Sequence, residues 1–455
     1  MSDLNNNAAP TASPAAHEGS SLYVAAPLMR RRNASEARFR WYGILAIGVS
    51  LATLGFTLFT IFADGVSSFR QTTFEFDVTL PAETLDPTGA RNPDDMAKVT
   101  TIGYKRVLEE SLTAYMAARG VDLMGVSEKD LGAFISGDAP GRLRKMVLED
   151  PNLVNQTIRF SAFATGRIDG YFKGRVTMET AKLDSNISPE QLMLADRMVE
   201  AGILVQKFNW LFFTNSDASD TRPESAGLGV AILGSLYMML LVVVMSLPLG
   251  VGAAIYLEEF AKPNRFTDLI EVNISNLAAV PSIVFGILGL AVFINFAGLP
   301  ASSTMVGALV LTLMSLPTII IATRASLRAV PPSIRSAALG IGASKVQTVF
   351  HHVLPLAMPG IMTGTILSLA SALGETGPLL LIGMVAFVVT PPASPLDGGF
   401  LDPATALPVQ VYSWASRSDP AFIERASGAI IVLLAFLVVM NIAAIILRRR
   451  FERRW

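Results

Sequence analysis

No cysteine occurs anywhere in the 455-residue chain, which excludes disulfides, thiol catalysis and cysteine-based metal sites together. Histidine is nearly as scarce: His17 in a polar stretch, and the adjacent pair His351 and His352. Neighbouring residues on a helix point about 100° apart. The pair is therefore a poor chelate and reads as interfacial packing, and no spacing matches a zinc or haem site. The Gly-x-x-x-x-Gly-Lys-[Ser/Thr] phosphate loop is missing too, so the chain has no such route to ATP hydrolysis and is not an enzyme by itself. Charge is sparse: 16% of residues are charged and 51% hydrophobic, where a soluble domain carries about a quarter charged. A net charge of −1 leaves no basic field for nucleic acid. The low charged and high apolar fractions point to a membrane protein.

Spanning a bilayer takes roughly 20 mostly apolar residues. Six runs qualify: Trp41–Ala63, Ala226–Leu257, Val272 to about Phe296, Thr304–Thr323, Val353 to about Val389, and Gly428–Leu447. The fifth is too long for a simple span and is expected to break or bend at Pro355, Pro359 and Gly374-Glu375-Thr376-Gly377-Pro378. The first lies too far from the start, and lacks the cleavage site, of a signal peptide, so it reads as a retained anchor. Residues 1–40, rich in Ala, Asn, Ser and Pro at their start, are expected to be a disordered tail. Basic residues flank the spans: Arg30–Arg32, Arg38 and Arg40 before the first, Lys262 and Arg265 after the second, Arg324, Arg328, Arg335 and Lys345 after the fourth, and Arg448–Arg450 with Arg453 and Arg454 after the last. The positive-inside rule then places both termini in the cytoplasm and 448–455 as a basic cytoplasmic tail, in keeping with an even span count.

That topology exports residues 64–225, a segment of ordinary domain size. Phe74, Phe76, Val78 and Leu80 alternate with polar residues as in a half-buried strand. Ala97–Arg119 has the pattern of an amphipathic helix, and Ser127 with Asp130 forms a loose capping box. Ser188-Pro189-Glu190 reads as the start of a helix running towards Trp210, and Tyr171–Met178 as another strand. The expectation is a small α+β domain between the first span and a transmembrane core over 226–447.

The most informative stretch is the inward-facing loop 324–352. Pro331 and Pro332 end the preceding helix, Ser333 can cap a new one, Ile334–Leu339 makes a short helix and Gly342 permits a positive-φ turn. A second helix then leads into Leu354-Pro355. A proline-flanked, Ala/Gly-rich loop also serves as a plain tight connection, but its placement on the cytoplasmic side rests on an independent charge argument. The stretch resembles the cytoplasmic "EAA" loop of ABC importer permeases, which reads Glu-Ala-Ala, three residues, Gly, nine residues, Ile, one residue, Leu-Pro. Ala337, Ala338, Gly342, Leu354 and Pro355 stand at matching positions, with Ser336 in place of the usual Glu and His352 in place of Ile. The resemblance implies that Ser336–Ala343 is a coupling helix seated in a groove on an ATPase subunit.

Leu373-Gly374-Glu375-Thr376-Gly377-Pro378-Leu379-Leu380 is similar to a Gly-Glu-Thr-Ala-Pro-Leu-Leu stretch of phosphate importer permeases of the PstA type. A carboxylate within a span usually faces a pore or partner, which makes Glu375, with Thr376, a pathway candidate; a hydrated helix end is the plainer reading. Ser371 stands where such permeases tend to place Arg, and Arg324 either compensates or is simply a positive-inside charge. Gly286, Gly289, Gly360 and Gly364 are expected to let helices pack closely. The resemblance implies a type I ABC importer core, all-α and polytopic with about six transmembrane helices and an inserted α+β periplasmic domain. It implies inorganic phosphate as substrate, with sulfate or molybdate as the rival. It also implies as partners a second homologous permease, an ABC ATPase dimer holding ATP and Mg, and a periplasmic phosphate-binding protein, all in the lipid of a bacterial inner membrane. The outer domain could dock the binding protein, brace the partner permease or sense something else. A two-span receptor would not need four further spans, and a polytopic enzyme would need more intramembrane acids or histidines than Glu375.

Overall fold

The computed structural model describes residues 27–384 and 387–451. Helix α1 covers Pro27–Gly65. It begins fourteen residues before the apolar run, correcting the expected disorder of 27–40: Arg30–Arg32, Ala34, Glu36, Ala37 and Arg38 are good helix formers, and Pro27 suits the first helical position. The part of the expected tail before Pro27 lies outside the described residues.

The α+β domain is built on a three-stranded antiparallel sheet, ordered β2-β1-β3. Strand β1 (Arg70–Thr79) is central, and its alternation is as expected: Phe74, Phe76, Val78 and the following Leu80 are fully buried. Each such side chain contributes roughly 1.5–3 kcal/mol by leaving water. Helix α2 (Thr101–Ala118) lays Tyr104, Val107, Leu108, Leu112 and Met116 into the same core, the three-and-four spacing of one helix face. Helix α3 (Ala139–Glu149) and strand β2 (Thr157–Phe163) follow, with Phe76 opposite Phe160 in the register. Ser127 caps a one-turn helix through the backbone of Asp130, as its spacing predicts.

Two expectations fail in the next stretch. Tyr171–Met178 is not a strand: Gly166–Phe172 forms helix α4 and the chain then turns. Tyr171 and Phe172 are adjacent, half-buried and edge-to-face, which helical geometry permits and strict alternation does not. Helix α5 starts at Pro189 with Ser188 and Gln191 in a capping box, but ends at Glu200. Gly202, at a φ of +69°, reverses the chain there, and Leu204–Phe208 pairs with β1 as strand β3. The β-branched Val205 suits that strand better than a helix, and the Ile203 carbonyl just before it already accepts from the Glu75 N–H at 2.9 Å.

Five helical stretches of the described residues are long and apolar enough to cross a membrane, and a bent pair makes a sixth when taken as one. After α1 comes α6 (Gly229–Ile255), continued by a π turn to Phe260. The expected third span is instead α7 (Arg265–Ala278) and α8 (Ser282–Gly289, continuing to Phe296), meeting at 104°. Proline at 281 disfavours helical geometry at Val280, which explains the break. Helix α9 covers Thr304–Arg328 and α10 covers Pro332–Gly340. Helix α11 (Leu354–Leu373) is entered through a π turn at Thr348–Val353. The helix runs unbroken from Lys345 through Pro355 and Pro359, since the widened turn accommodates the proline ring and its missing N–H. The true break is at Gly374-Glu375-Thr376, before the short α12 (Gly377–Leu381). Helices α13 (Leu407–Ala415) and α14 (Pro420–Phe451) complete the core.

Helix α9 packs between α6 and α11, and α11 against α14. Added Cβ atoms at Gly286, Gly289, Gly360 and Gly364 would meet Pro378, Val310, Ser326 and Ala322 too closely. All four glycines thus mark tight helix approaches, the role their residue type suggested.

A buried charge network ties the α+β domain to α14. Lys173 Nζ lies 2.8 Å from Asp169 and 3.0 Å from Glu424, and Arg175 Nε lies 2.6 Å from Glu424. The Arg425 guanidinium donates to the carbonyls of Ala226 (2.7 Å) and Glu224 (2.8 Å) and to Gln71 Oε1 (3.1 Å). Glu224 itself is buried, accepting from Ser136 Oγ and the Gly166 N–H. Burial raises its carboxyl above the ordinary 4.5, outweighing the Ser136 hydrogen bond that acts the other way. A folded-state pKa above the unfolded one means stability falls as pH rises from about 4.5 through the folded value. Glu224→Gln removes that loss. Its melting temperature should exceed wild type near pH 7.5 and converge with it near pH 4; a constant offset across that range would contradict the assignment.

Candidate functional site

The loop between α9 and α11 is set by local chemistry. Pro332 occupies the first position of α10 and Pro331, in extended geometry, precedes it. Ser333 therefore lies inside the helix and does not cap it, as Pro332's fixed φ shifts the start one residue earlier. The far end is a Schellman motif: Ala343 N–H donates to Ala338 O (3.1 Å) and Gly342 N–H to Leu339 O (3.0 Å), with Gly342 at φ +92°. This closure explains the spacing of Ala338 and Gly342: Ala338 is the residue three before the cap, whose carbonyl takes the outer bond, and Gly342 is the positive-φ residue just after the cap. Ser344 then opens the next helical turn in a capping box with Gln347.

Ala338 is the buried member of α10, and α10 packs against the Thr348–Val353 turn. Ser336 and Ala337 are exposed, Ala343 is half-buried, and Leu354 and Pro355 anchor the start of α11. Beneath the loop, Ile255 of α6, Leu327 of α9, and Val349 and Val353 form one apolar cluster with Ile334 and Leu354 packed on it. Ile341 is 83% exposed, and Leu339, Val346 and Phe350 also stand out from the surface. His351 and His352 are exposed beside them, and no cluster able to hold a metal occurs among the described residues.

Arg335 fastens this unit. Its Nη2 lies 2.6 Å from Glu259 Oε1, and the guanidinium also donates to Val330 O (2.8 Å) and Leu327 O (2.9 Å). One side chain thereby joins the π turn of α6, the carbonyl end of α9 and α10. Lys345 adds a cation over the Phe260 ring at 5.4 Å.

The pathway candidates divide. Ser371, Glu375 and Thr376 lie together where α11 ends. Ser371 Oγ donates to Leu367 O of its own helix (3.1 Å). Glu375 is half-buried, and its carboxylate has no hydrogen bond or ion pair among the described residues. Arg324 lies elsewhere, and it is no free cation awaiting an anion. Its guanidinium is taken up by Glu258 (3.1 Å) and Glu271 (2.6 Å), and Glu258 is shared with Arg328 (2.7 Å). Glu258, Glu259 and Glu271 carry no motif in the sequence. Their one mark in the sequence is that they are acidic residues at the edges of apolar runs; the arginines they meet lie more than fifty residues further on.

Long apolar helices gathered around a loop clamped on the ends of α6, α9 and α11 define a polytopic permease. Residues 246–455 match the family described as "Binding-protein-dependent transport system inner membrane component", and residues 27–182 match a domain of unknown function (DUF3333). The probable ABC transporter permease protein YqgI of Bacillus subtilis is 31% identical over 252 residues, covering 53% of this chain and 83% of that protein. The phosphate transport system permease protein PstA 1 of Mycobacterium tuberculosis H37Rv is 32% identical over 234 residues, covering 51% and 73%. An inward-facing MetNI methionine ABC transporter structure overlaps 50% of this chain and 95% of its own at 15% identity and a TM-score of 0.37. The chain belongs to the family of binding-protein-dependent transport system inner membrane components, the multi-pass permeases of ABC importers, in its PstA-type branch.

Proposed function

We propose that this chain is one of two permeases forming the pathway of an ATP-driven importer for inorganic phosphate, with α10 as the element pushed by the ATPase. The observation carrying this reading is the loop itself: a rigid, Schellman-closed helix on three helix ends, with apolar side chains left exposed for a partner. ATP and Mg would bind on the partner ATPase dimer, and a periplasmic phosphate-binding protein would deliver the ion. Both termini and loop 324–352 would face the cytoplasm, and residues 64–225 the periplasm. Phosphate is favoured by relatives named as phosphate permeases and by the Gly-Glu-Thr-x-Pro-Leu-Leu stretch. With Arg324 engaged and Ser371 neutral, the pathway near Glu375 would meet the ion with hydroxyl and backbone donors.

Labelled phosphate uptake at low substrate, in cells lacking this gene and complemented with wild type or Gly342→Asp, tests the reading. Gly342 has open space around it, so the substitution acts through backbone strain, costing about 1–3 kcal/mol at positive φ. Wild type should restore uptake unaffected by sulfate or molybdate. The variant should reach the membrane yet transport at least tenfold less. Uptake of sulfate or molybdate that falls on deletion, with phosphate unchanged, would overturn the substrate.

A further inference from the structure

A cleft of about 610 Å³ opens where the α+β domain meets the start of α14, lined by Thr165, Arg167, Arg175, Asn186, Thr221 and Arg222. Its volume lies in the range of small-molecule sites. Three acidic residues also line it, but each is engaged. Glu224 is held by Ser136 and the Gly166 N–H. Asp220 pairs with Arg417 at 3.2 Å. Asp419 caps the Ala421 N–H at 2.8 Å. The guanidinium groups are less fully used. Among the described residues Arg167 spends only Nε, on Asp184 at 3.2 Å. Arg175 has Nε 2.6 Å from Glu424 and Nη2 3.5 Å from Asp169, which leaves Nη1 without a partner among the described residues. Arg222 has only a 3.4 Å contact from Nε to Ser219 Oγ, and no acidic partner among the described residues. Burial also favours the neutral form of Glu224, which lowers the negative charge facing the cleft.

We infer that this cleft binds a small anion through the free guanidinium nitrogens of Arg167, Arg175 and Arg222, the ligand being a phosphate- or carboxylate-bearing molecule. Planar guanidinium forks suit either group bidentately, and Asn186 and the two threonines supply neutral donors around them. The inference is independent of which ion crosses the membrane, since the cleft lies outside the helical core. The occupant would be felt by the last span. Arg175 is shared between the cleft and Glu424, and Asp419 and Pro420 form both its wall and the start of α14.

The absence of cysteine makes a direct test possible in the full chain. A single Asn186→Cys is placed in the cleft, and its modification by an anionic and a cationic methanethiosulfonate is timed, each rate normalised to a free thiol. A cleft that concentrates anions should favour the anionic reagent about tenfold. Millimolar inorganic phosphate or citrate should slow modification several-fold, the effective one identifying the phosphate or carboxylate class. Adding Arg167→Gln and Arg222→Gln should bring the charge preference close to one. A normalised preference at or below one, or no protection by either anion in the arginine-intact protein, overturns the inference.

Discussion

Arg335→Ala is expected to abolish phosphate uptake while leaving the protein in the membrane. Truncation leaves Glu259, whose side chain is only 8% exposed, without its cation, and it strips the Val330 and Leu327 carbonyls of their donor. Removing one partner of a fully buried pair costs about 3–5 kcal/mol. Arg335 keeps some water contact, so roughly 2–4 kcal/mol is expected here. That is enough to detach α10 from the ends of α6 and α9 without unfolding the bundle. A loop that yields when pushed transmits little, and uptake should fall by tenfold or more. Arg335→Lys keeps the charge but loses the fork that reaches carboxylate and carbonyls together, so it should be intermediate. Adding Glu259→Ala to Arg335→Ala should recover part of the loss, because the stranded charge is gone. Normal uptake by Arg335→Ala, at wild-type abundance in the membrane, would remove Arg335 from any role in coupling.

What the sequence revealed and what it concealed follow one physical line. Local geometry was legible: the Ala338 to Gly342 spacing is a Schellman motif, and β1 alternates because one of its faces is core. The four span glycines could be read because close approach demands a missing Cβ whatever the neighbour. Long-range pairing was not legible. Arg324, Arg328 and Arg335 satisfied the positive-inside pattern, and nothing in that pattern shows that Glu258, Glu259 and Glu271 fold back to meet them. Glu424 and Arg425 precede the apolar run beginning at Gly428 and so looked like ordinary loop charges, although the fold buries both. Tyr171–Met178 misled because alternation over so few residues also occurs where a helix ends in a turn. The π turn before α11 hid in the same way, since Pro355 signals a break unless the preceding turn widens.

Glu424→Ala should release the α+β domain from α14. The Glu424 side chain is 6% exposed, that of Lys173 5% and that of Asp169 3%. Asp169 and Glu424 face Lys173 and Arg175, with the buried Arg425 guanidinium beside them, and truncation removes one of the two carboxylates that hold these cations. The expected cost is about 3–5 kcal/mol, borne by the contact between domain and helix. Trypsin should then cut the detergent-solubilised protein between residues 66 and 228 well before the wild type, with a lower melting temperature. Glu424→Gln should behave similarly, since its shape is kept and only its charge is lost; this separates electrostatics from packing. The pair Lys173→Met with Glu424→Leu removes one buried charge of each sign, putting apolar groups of similar bulk in their place, and should recover most of the resistance, as replacing a buried ion pair is often neutral. If both single Glu424 variants resist trypsin as wild type does, the network does not hold the domain. If they are cut but the double replacement is cut equally fast, shape at this junction matters more than charge. In either of those outcomes a ligand on Arg175 would have no route through Glu424 to the last span.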